Sequence, residues 1–178
     1  QDTVNVAFIP YVAEKLKEMG FKCFLQGYMF DLLLGGSFLS KEALNSRSLP
    51  SLISHLVSKY SVFSIKEMEK LLNPKLHGLL NSVLKEFCEI VANSRGDCSG
   101  NRNDYFAINT RVRRYTLMGS VINRYFLEEL LPTIDNDLID VIRRIPPHLR
   151  YNHKIYRRFL ISLNPKLAKT PYQKTLLP

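Results

Sequence analysis

The strongest constraint on the fold is a change of hydrophobic pattern near the start of the chain. Residues 4–19 carry apolar side chains at helical spacing, and Gly20 follows as a stop signal. Residues 21–25 form a short apolar run without helical period, which predicts a buried parallel strand. Residues 26–37 hold three glycines around an acidic residue and are predicted to be a loop. This order is typical of an α/β sheet, whose ligands bind beyond the carboxyl ends of the strands.

The rest of the chain has helical spacing, so the predicted fold class is α/β but mostly helical. Ser64 and Glu67 form an S-x-x-E capping box, which marks one helix start. A long amphipathic helix is predicted over residues 111–131, where Pro132 ends it. Further helices are predicted over residues 48–60, 64–72, 74–92, 137–144 and 151–163.

Residues 93–104 are predicted to be a flexible loop. Their sequence, NSRGDCSGNRND, contains almost no apolar side chain and two glycines. A segment with nothing apolar to bury gains little from packing, so we expect it to connect two helices.

Composition excludes several classes of protein. The 178 residues form one domain or a large piece of one, and no stretch approaches the roughly 18 uncharged apolar residues of a membrane helix. The three cysteines form no CxxC pair, which favours a reducing, cytoplasmic location over a disulfide framework. The four histidines lack metal-ligand spacing, so no structural zinc site is expected.

The net charge of +9 is compatible with nucleic acid, an anionic membrane surface or a small polyanion such as ATP. No RRM, KH or OB signature is present, so nucleic-acid binding is not predicted. A solvated basic face is the simplest reading of the charge. Because the first residue is Gln1 and no signal segment follows it, we expect the chain to begin partway along a longer polypeptide.

Three segments in register resemble the synthetase domain of glutamine-hydrolysing asparagine synthetases. Residues 25–36, LQGYMFDLLLGG, are similar to the strand-end pattern of that family, which carries a Gly, an Asp-Glu pair and a final Gly-Gly. Residues 132–140, PTIDNDLID, are similar to its P-F-L-D stretch and the helix after it. Residues 145–174, with IPPHLRYNHKIYRRFL and then PYQK, are similar to its P-P-x-x-[KR], K-x-x-x-R and R-x-K ending.

This resemblance implies an adenine nucleotide alpha hydrolase-like fold, that of the PP-loop ATP pyrophosphatases. Residues 1–178 would be a partial synthetase domain that lacks its first strands. The implied ligase uses ATP and Mg²⁺ to adenylate an aspartate-like carboxylate, and ammonia derived from glutamine then displaces AMP. A glutaminase domain is expected upstream or on another chain, and a homodimer is one expected assembly. The family's S-G-G-x-D-S loop does not occur in these residues, so the ATP site is expected to be incomplete.

The resemblance places a metal ligand and two nucleotide-binding residues in the loop after the first strand. Asp31 matches a Mg²⁺-ligating Asp, and a carboxylate suits this hard cation. The alternative is that Asp31 caps a helix. Gln26 and Gly27 match positions whose backbone faces the nucleotide, because a glycine allows a ligand to approach closely. The alternative for Gly27 is a tight turn.

The resemblance also implies roles for four residues elsewhere. Tyr28 would orient or deprotonate the acceptor, for which it needs a neighbouring carboxylate or cation, and the alternative is a packed aromatic ring. Lys174 matches the family's R-x-K lysine, a point charge suited to a phosphoryl oxygen, and the alternative is a surface lysine. Lys154 and Arg158 lie four residues apart on one helix face, for catalysis and nucleotide contact respectively, or as a solvated face.

The chain departs from the family at positions that bear on its substrate. Tyr28 stands where asparagine synthetases have an acidic residue, and a Tyr stands there in the related β-lactam synthetases. Met29 replaces a Gly, the Asp-Glu pair reads Asp31-Leu32, and an Arg of the family falls on Leu130. Two alternatives to the asparagine synthetase reading therefore stay open. They are another amide-forming synthetase that uses Tyr28, and a degenerate, non-catalytic member or basic helical binding domain.

Overall fold

The computed structural model describes residues 2–34 and 36–171; for residues 2–7, 9 and 119 it describes the backbone alone. The described chain is mostly helical and contains a small parallel sheet of two strands. It divides into two compact units. Unit 1 is built from the described parts of Gln1–Ser37 and Ile108–Pro178, and unit 2 is Phe38–Ala107. None of the described helices has the length and apolar character needed to cross a membrane.

Unit 1 places its sheet among helices that precede and follow it in the chain. Its described elements are α1 (Asp2–Glu18), β1 (Cys23–Leu25), α2 (Phe30–Leu33), a π-helix (Ile108–Thr116), α8 (Met118–Asn123), β2 (Glu128–Leu130), α9 (Asn136–Arg143), α10 (Pro147–Arg150), α11 (Lys154–Leu163) and α12 (Pro165–Ala168). Two 3₁₀ turns, Pro132–Ile134 and Tyr151–His153, join them. The helices predicted over residues 4–19, 137–144 and 151–163 are confirmed by α1, α9 and α11.

The predicted strand is confirmed as parallel, but the prediction that it is buried is wrong. β1 pairs with β2 in the register Cys23 to Glu128, Phe24 to Glu129 and Leu25 to Leu130. Side chains alternate between the two faces of a strand. The face that carries Cys23 and Leu25 is exposed, and Leu25 keeps 74% of its surface. The opposite face, which carries Glu129, is covered, so this sheet has one exposed and one buried face.

The long helix predicted over residues 111–131 is only partly correct, because the chain is helical as far as Asn123 but not beyond it. The chain instead forms the π-helix Ile108–Thr116, then α8, and then strand β2. The last stretch, FLEELL, has good helix formers. It forms a strand because its backbone finds a partner in β1, and such tertiary pairing overrides local propensity.

Unit 2 is helical, and three of its helices, α3, α4 and α5, begin at serine caps. Its elements are α3 (Lys41–Asn45), α4 (Leu49–Tyr60), α5 (Ile65–Leu71), a 3₁₀ turn (Pro74–Leu76), α6 (His77–Ala92) and α7 (Ser99–Ala107). Ser40 and Ser48 accept backbone N–H bonds at the starts of α3 and α4. The predicted capping box is confirmed, since Ser64 and Glu67 satisfy each other's backbone N–H groups.

The core of unit 2 is a compact apolar cluster. Leu52 and Leu56, one turn apart on α4, are fully buried against Val91 of α6 and Phe106 of α7. The Phe106 ring also contacts the rings of two partly buried aromatic residues, with centroid distances of 5.0 and 5.5 Å. Burial of these side chains removes apolar surface from water, which is the main stabilising term for a unit of this kind.

The flexible loop predicted over residues 93–104 is only partly correct. The chain is irregular up to Cys98, and from Ser99 it forms α7. Asn103 and Asp104 in this helix are buried. The Asn103 amide donates to the Phe38 carbonyl at 3.0 Å, so a polar side chain packs inside because it finds a hydrogen-bond partner far along the chain. The composition of the segment does not show that partner.

His55 connects two helices of unit 2 and makes its stability depend on pH. Its Nε2 atom is 2.9 Å from the Ser40 hydroxyl at the start of α3. Burial lowers the pKa of His55 below its ordinary value of 6.5, and the positive charge of Lys59 lowers it further. The negative charge of Glu42 acts in the opposite direction. The folded protein therefore binds a proton at this ring less readily than the unfolded chain does.

We predict that unit 2 loses stability as pH falls through 6.5 towards the lower folded-state pKa of His55. The loss occurs because the unfolded chain takes up the proton first. His55→Gln keeps a group that can hydrogen-bond to Ser40 but does not titrate. It should therefore reduce the dependence of the free energy of unfolding on pH in this range. Urea unfolding at several pH values measures the effect, with His148→Gln at an exposed position as the control. An equal pH slope in His55→Gln and in the unchanged protein would contradict the prediction.

Candidate functional site

The loop that follows β1 is held in place by the segment that follows β2. The Gln26 N–H donates to the Leu130 carbonyl at 3.1 Å, which continues the strand ladder by one bond. The Thr133 hydroxyl donates to the Tyr28 carbonyl. Met29 then adopts a left-handed conformation with φ 63° and leads into α2. The carboxyl ends of both strands therefore meet at this loop, where ligands of parallel sheets bind.

Tyr28 has a half-buried side chain with a buried hydroxyl. The hydroxyl reaches hydrogen-bond geometry with none of the described residues. Burial raises the pKa of Tyr28 above its ordinary value of 10.0, and the negative charges of Glu129 and Asp31 raise it further. The Thr116 hydroxyl, which lies near the phenol without reaching hydrogen-bond geometry, lowers it in part. Because the phenol keeps its proton at neutral pH, Tyr28 is suited to donate a hydrogen bond and is poorly suited to act as a base.

Asp31 lies in the first turn of α2 with an exposed side chain. Its Oδ2 atom accepts a hydrogen bond from the Ser37 hydroxyl at 2.9 Å. The described residues contain no group of three or more His, Cys, Asp or Glu side chains that could hold a metal ion. One exposed carboxylate fits the way Mg²⁺ is bound together with substrate phosphates, where most ligands are water and phosphate oxygen. It does not fit a cation held by protein ligands alone.

Gln26 has a buried side-chain oxygen, whereas Gly27 has open space around its Cα atom. The Gln26 side-chain oxygen is buried and has no hydrogen-bond partner among the described residues. Gly27 has no positive φ, and a Cβ atom placed on it would meet nothing within 4 Å. Neither the backbone nor a neighbour requires a glycine there, which weakens the reading of Gly27 as a tight-turn residue. The space above it is open to a ligand.

The predicted site residues of α11, Lys154 and Arg158, lie on a different face of the helix from the residue that contacts the loop. Tyr156 packs edge-on against Phe30 of α2, with ring centroids 5.7 Å apart. Lys154 and Arg158 lie two residues before and after Tyr156, so they point to the other side of the helix, and both are exposed. The structure thus brings α11 to the loop but turns these two side chains away from that contact. Lys174 lies outside the described residues.

The sequence analysis missed a buried polar group beside the loop. The Glu129 side chain is fully buried, and its Oε1 atom accepts a hydrogen bond from Ser120 of α8 at 3.1 Å. Its Oε2 atom is 3.8 Å from Nε of Arg124. Asn123 is buried as well. A helix over residues 111–131 would contain Glu129 as one of several polar residues, and nothing in that pattern indicates burial. Only the position of Glu129 in strand β2 shows that its side chain is buried.

An open cleft of about 510 Å³ lies at the amino ends of the strands. Its lining residues carry charges of both signs beside an aromatic ring: Lys22, Arg124, Phe126, Leu127, Glu128 and Glu129. Lys22 precedes β1 and Glu128 begins β2, so the cleft is at the other end of the sheet from Gln26 and Asp31. The cleft is therefore distinct from the predicted nucleotide loop. Glu129 lines the cleft, and its charge also raises the pKa of Tyr28 in the loop.

Comparison with protein-family models, curated proteins and solved structures gives no significant match. The resemblance to asparagine synthetases accordingly stays a prediction from the three sequence segments. What the described residues add is the arrangement of the loop after β1, with its buried Gln26 and Tyr28 oxygens.

We predict that Thr133→Val loosens the loop after β1. The substitution removes the hydroxyl that donates to the Tyr28 carbonyl while it keeps the shape of the side chain. Loss of one such hydrogen bond should lower the free energy of unfolding by about 1–2 kcal/mol. Amide hydrogen exchange should accelerate in residues 28–34 more than elsewhere in unit 1. Thr170→Val, at an exposed position, is the control. Unchanged exchange in residues 28–34 would mean that other contacts hold the loop.

Proposed function

We propose that this protein is an ATP-dependent amide-forming ligase of the asparagine synthetase type. The carrying observation is the loop after β1. It lies at the shared carboxyl end of two parallel strands, and its Gln26 and Tyr28 oxygens are buried without a described hydrogen-bond partner. Unpaired buried polar atoms at the ligand-binding end of a parallel sheet favour a site that a substrate completes. The three sequence segments supply the reaction class.

In this proposal each residue of the loop has one task. The exposed Asp31 carboxylate contributes one ligand to Mg²⁺, which neutralises charge on the phosphates. Gln26 and Gly27 face the nucleotide, where the open space above Gly27 admits it. Lys174 would stabilise negative charge that develops on the phosphoryl group during adenylation. Lys154 and Arg158 support the site less directly, because their side chains point away from the contact between α11 and α2.

Tyr28 favours a second candidate, an amide-forming synthetase whose acceptor is not aspartate. Its raised pKa and the neighbouring Glu129 charge support a phenol that donates a hydrogen bond to the acceptor and orients it. A general base at neutral pH would need a lowered pKa. Under this candidate, Tyr28→Phe should raise KM for the acceptor more than it lowers kcat. The ligase proposal also includes an adenine nucleotide alpha hydrolase-like fold, a carboxylate acceptor and a source of ammonia.

We predict that the 178-residue chain alone binds ATP weakly. The S-G-G-x-D-S type of loop does not occur in it, and scattered basic side chains do not replace a cradle of backbone N–H groups. Calorimetry with Mg-ATP should therefore show little heat. A polypeptide in which such a loop is also present should bind clearly. Micromolar binding by the 178-residue chain would show that the phosphate site lies elsewhere.

Two substitutions in the polypeptide as its gene encodes it test the proposed roles. Lys174→Ala should lower kcat on the order of 10²-fold with little change in the apparent affinity for ATP, because its charge matters mostly in the transition state. Asp31→Asn should raise the magnesium concentration needed for half-maximal rate, because a carbonyl replaces a carboxylate on a hard cation. The measurement is pyrophosphate release with aspartate and ammonium, at varied magnesium and ATP.

Matched variants at exposed positions separate these effects from a general loss of charge. Lys169→Ala and Asp137→Asn change the same residue types away from the loop and should leave the rates unchanged. Circular dichroism checks that all variants fold. Rates like those of the unchanged protein in both Lys174→Ala and Asp31→Asn would favour the degenerate, non-catalytic alternative.

A further inference from the structure

Unit 1 contains a group of buried oxygen atoms that lack hydrogen-bond partners among the described residues. They are Gln26 Oε1, Tyr28 Oη, Asn123 Oδ1 and Glu129 Oε2. Three of these oxygens can only accept hydrogen bonds, and one of them belongs to a carboxylate. A buried acceptor without a donor is costly, so natural proteins normally pair such groups with protein, water or a ligand.

The sheet register and helix α8 bring three of these oxygens, those of Gln26, Asn123 and Glu129, to one face of the sheet. Phe24 pairs with Glu129, so their side chains lie on the same side of the sheet. Gln26 is two residues beyond Phe24, and the strand ladder extends to its N–H, so its side chain also lies on that side. Helix α8 covers this face, because Ser120 donates to Glu129. Asn123, three residues after Ser120, is on the same side of α8.

Arg124 compensates the charge of the buried Glu129 carboxylate only in part. Nε of Arg124 is 3.8 Å from Glu129 Oε2, which is an ion-pair distance but too long for a hydrogen bond. The Arg124 side chain is 59% exposed, so its guanidinium can remain in solvent while Glu129 stays buried. The Glu129 side chain has no exposed surface, so the open cleft of about 510 Å³ that Glu129 lines meets only its backbone, and a cation bound at the carboxylate is enclosed by α8 and the sheet.

We propose that Gln26, Asn123 and Glu129 form a binding site for a monovalent cation of ammonium size, between α8 and the sheet. A carboxylate and two amide oxygens supply negative charge and acceptors, which are the groups that such a cation needs. An ammonium ion donates N–H bonds to them, and potassium, which has a similar radius, satisfies the same oxygens by charge. The site shares the buried Gln26 oxygen with the loop of the proposed ligase, but its test uses neither ATP nor turnover, so failure of one proposal is distinguishable from failure of the other.

Thermal unfolding of the 178-residue chain tests this site. The melting temperature is compared in ammonium, potassium, sodium and tetramethylammonium chloride at constant ionic strength. Ammonium or potassium should raise Tm by about 3 °C over tetramethylammonium at a concentration roughly ten times Kd, because the larger ion cannot enter. A larger rise in Tm with ammonium than with potassium would show that N–H hydrogen bonds contribute to cation binding. An equal rise would show that the charge of the cation accounts for it. The side-chain amide resonances of Gln26 and Asn123 in ¹⁵N-labelled protein should shift with the same concentration dependence.

Adjacent glutamates supply the control variants. Glu129→Gln keeps an acceptor for Ser120 but removes the charge, and it should abolish the salt-specific rise in Tm. Glu128→Gln, one residue earlier and exposed, should preserve the rise. If Glu129→Gln does not fold, Gln26→Met removes an oxygen that has no described partner, so it should fold and weaken the cation effect. An equal Tm in all four salts, including sodium, or the same rise in Glu129→Gln as in the unchanged protein, would overturn the proposal and leave ordered water as the partner of these oxygens.

Discussion

The parallel pairing of β1 with β2 is the contact on which unit 1 depends. The three-residue strands lie on either side of unit 2 in the sequence, so their pairing closes a loop that contains an entire helical unit. The entropy cost of closure grows only slowly with loop length, which makes such an insertion tolerable. Once the pair forms, the chain after β1 and the chain after β2 leave the sheet at the same end. Thr133 can then reach the Tyr28 carbonyl, 105 residues away.

The same pairing creates a chemical contrast between the faces of the sheet. One face exposes Leu25, whereas the other buries the Glu129 carboxylate under α8. A buried carboxylate needs hydrogen bonds or a counter-charge, and Ser120 and Arg124 supply only part of this. The carboxylate still needs a donor or a cation, which the amide oxygens of Gln26 and Asn123 cannot supply because they only accept hydrogen bonds. The candidate site and the proposed cation site therefore have one origin, a charged residue at the central position of a strand.

Unit 2 is stabilised in a different way. Its fully buried leucines, Leu52 and Leu56, pack with Val91 and Phe106, and serine caps define where α3, α4 and α5 start. Most of these features are local in sequence or repeat at helical spacing, so the sequence predicted them well. The exception is helix α7. There Asn103 is buried because of its bond to the Phe38 carbonyl, and no periodic pattern indicates such a bond.

The loop predicted over residues 26–37 is only partly correct, because Phe30–Leu33 form the short helix α2. The sequence by itself determined the helices with clear apolar spacing, the capping box at Ser64 and the strand after Gly20. These features depend on interactions between residues a few positions apart. Only the tertiary structure decided that residues 128–130 form a strand, that Glu129 is buried beside Tyr28, and that Lys154 and Arg158 point away from the contact between α11 and α2. Strand pairing and helix orientation depend on partners distant in sequence, and local propensity carries no information about them.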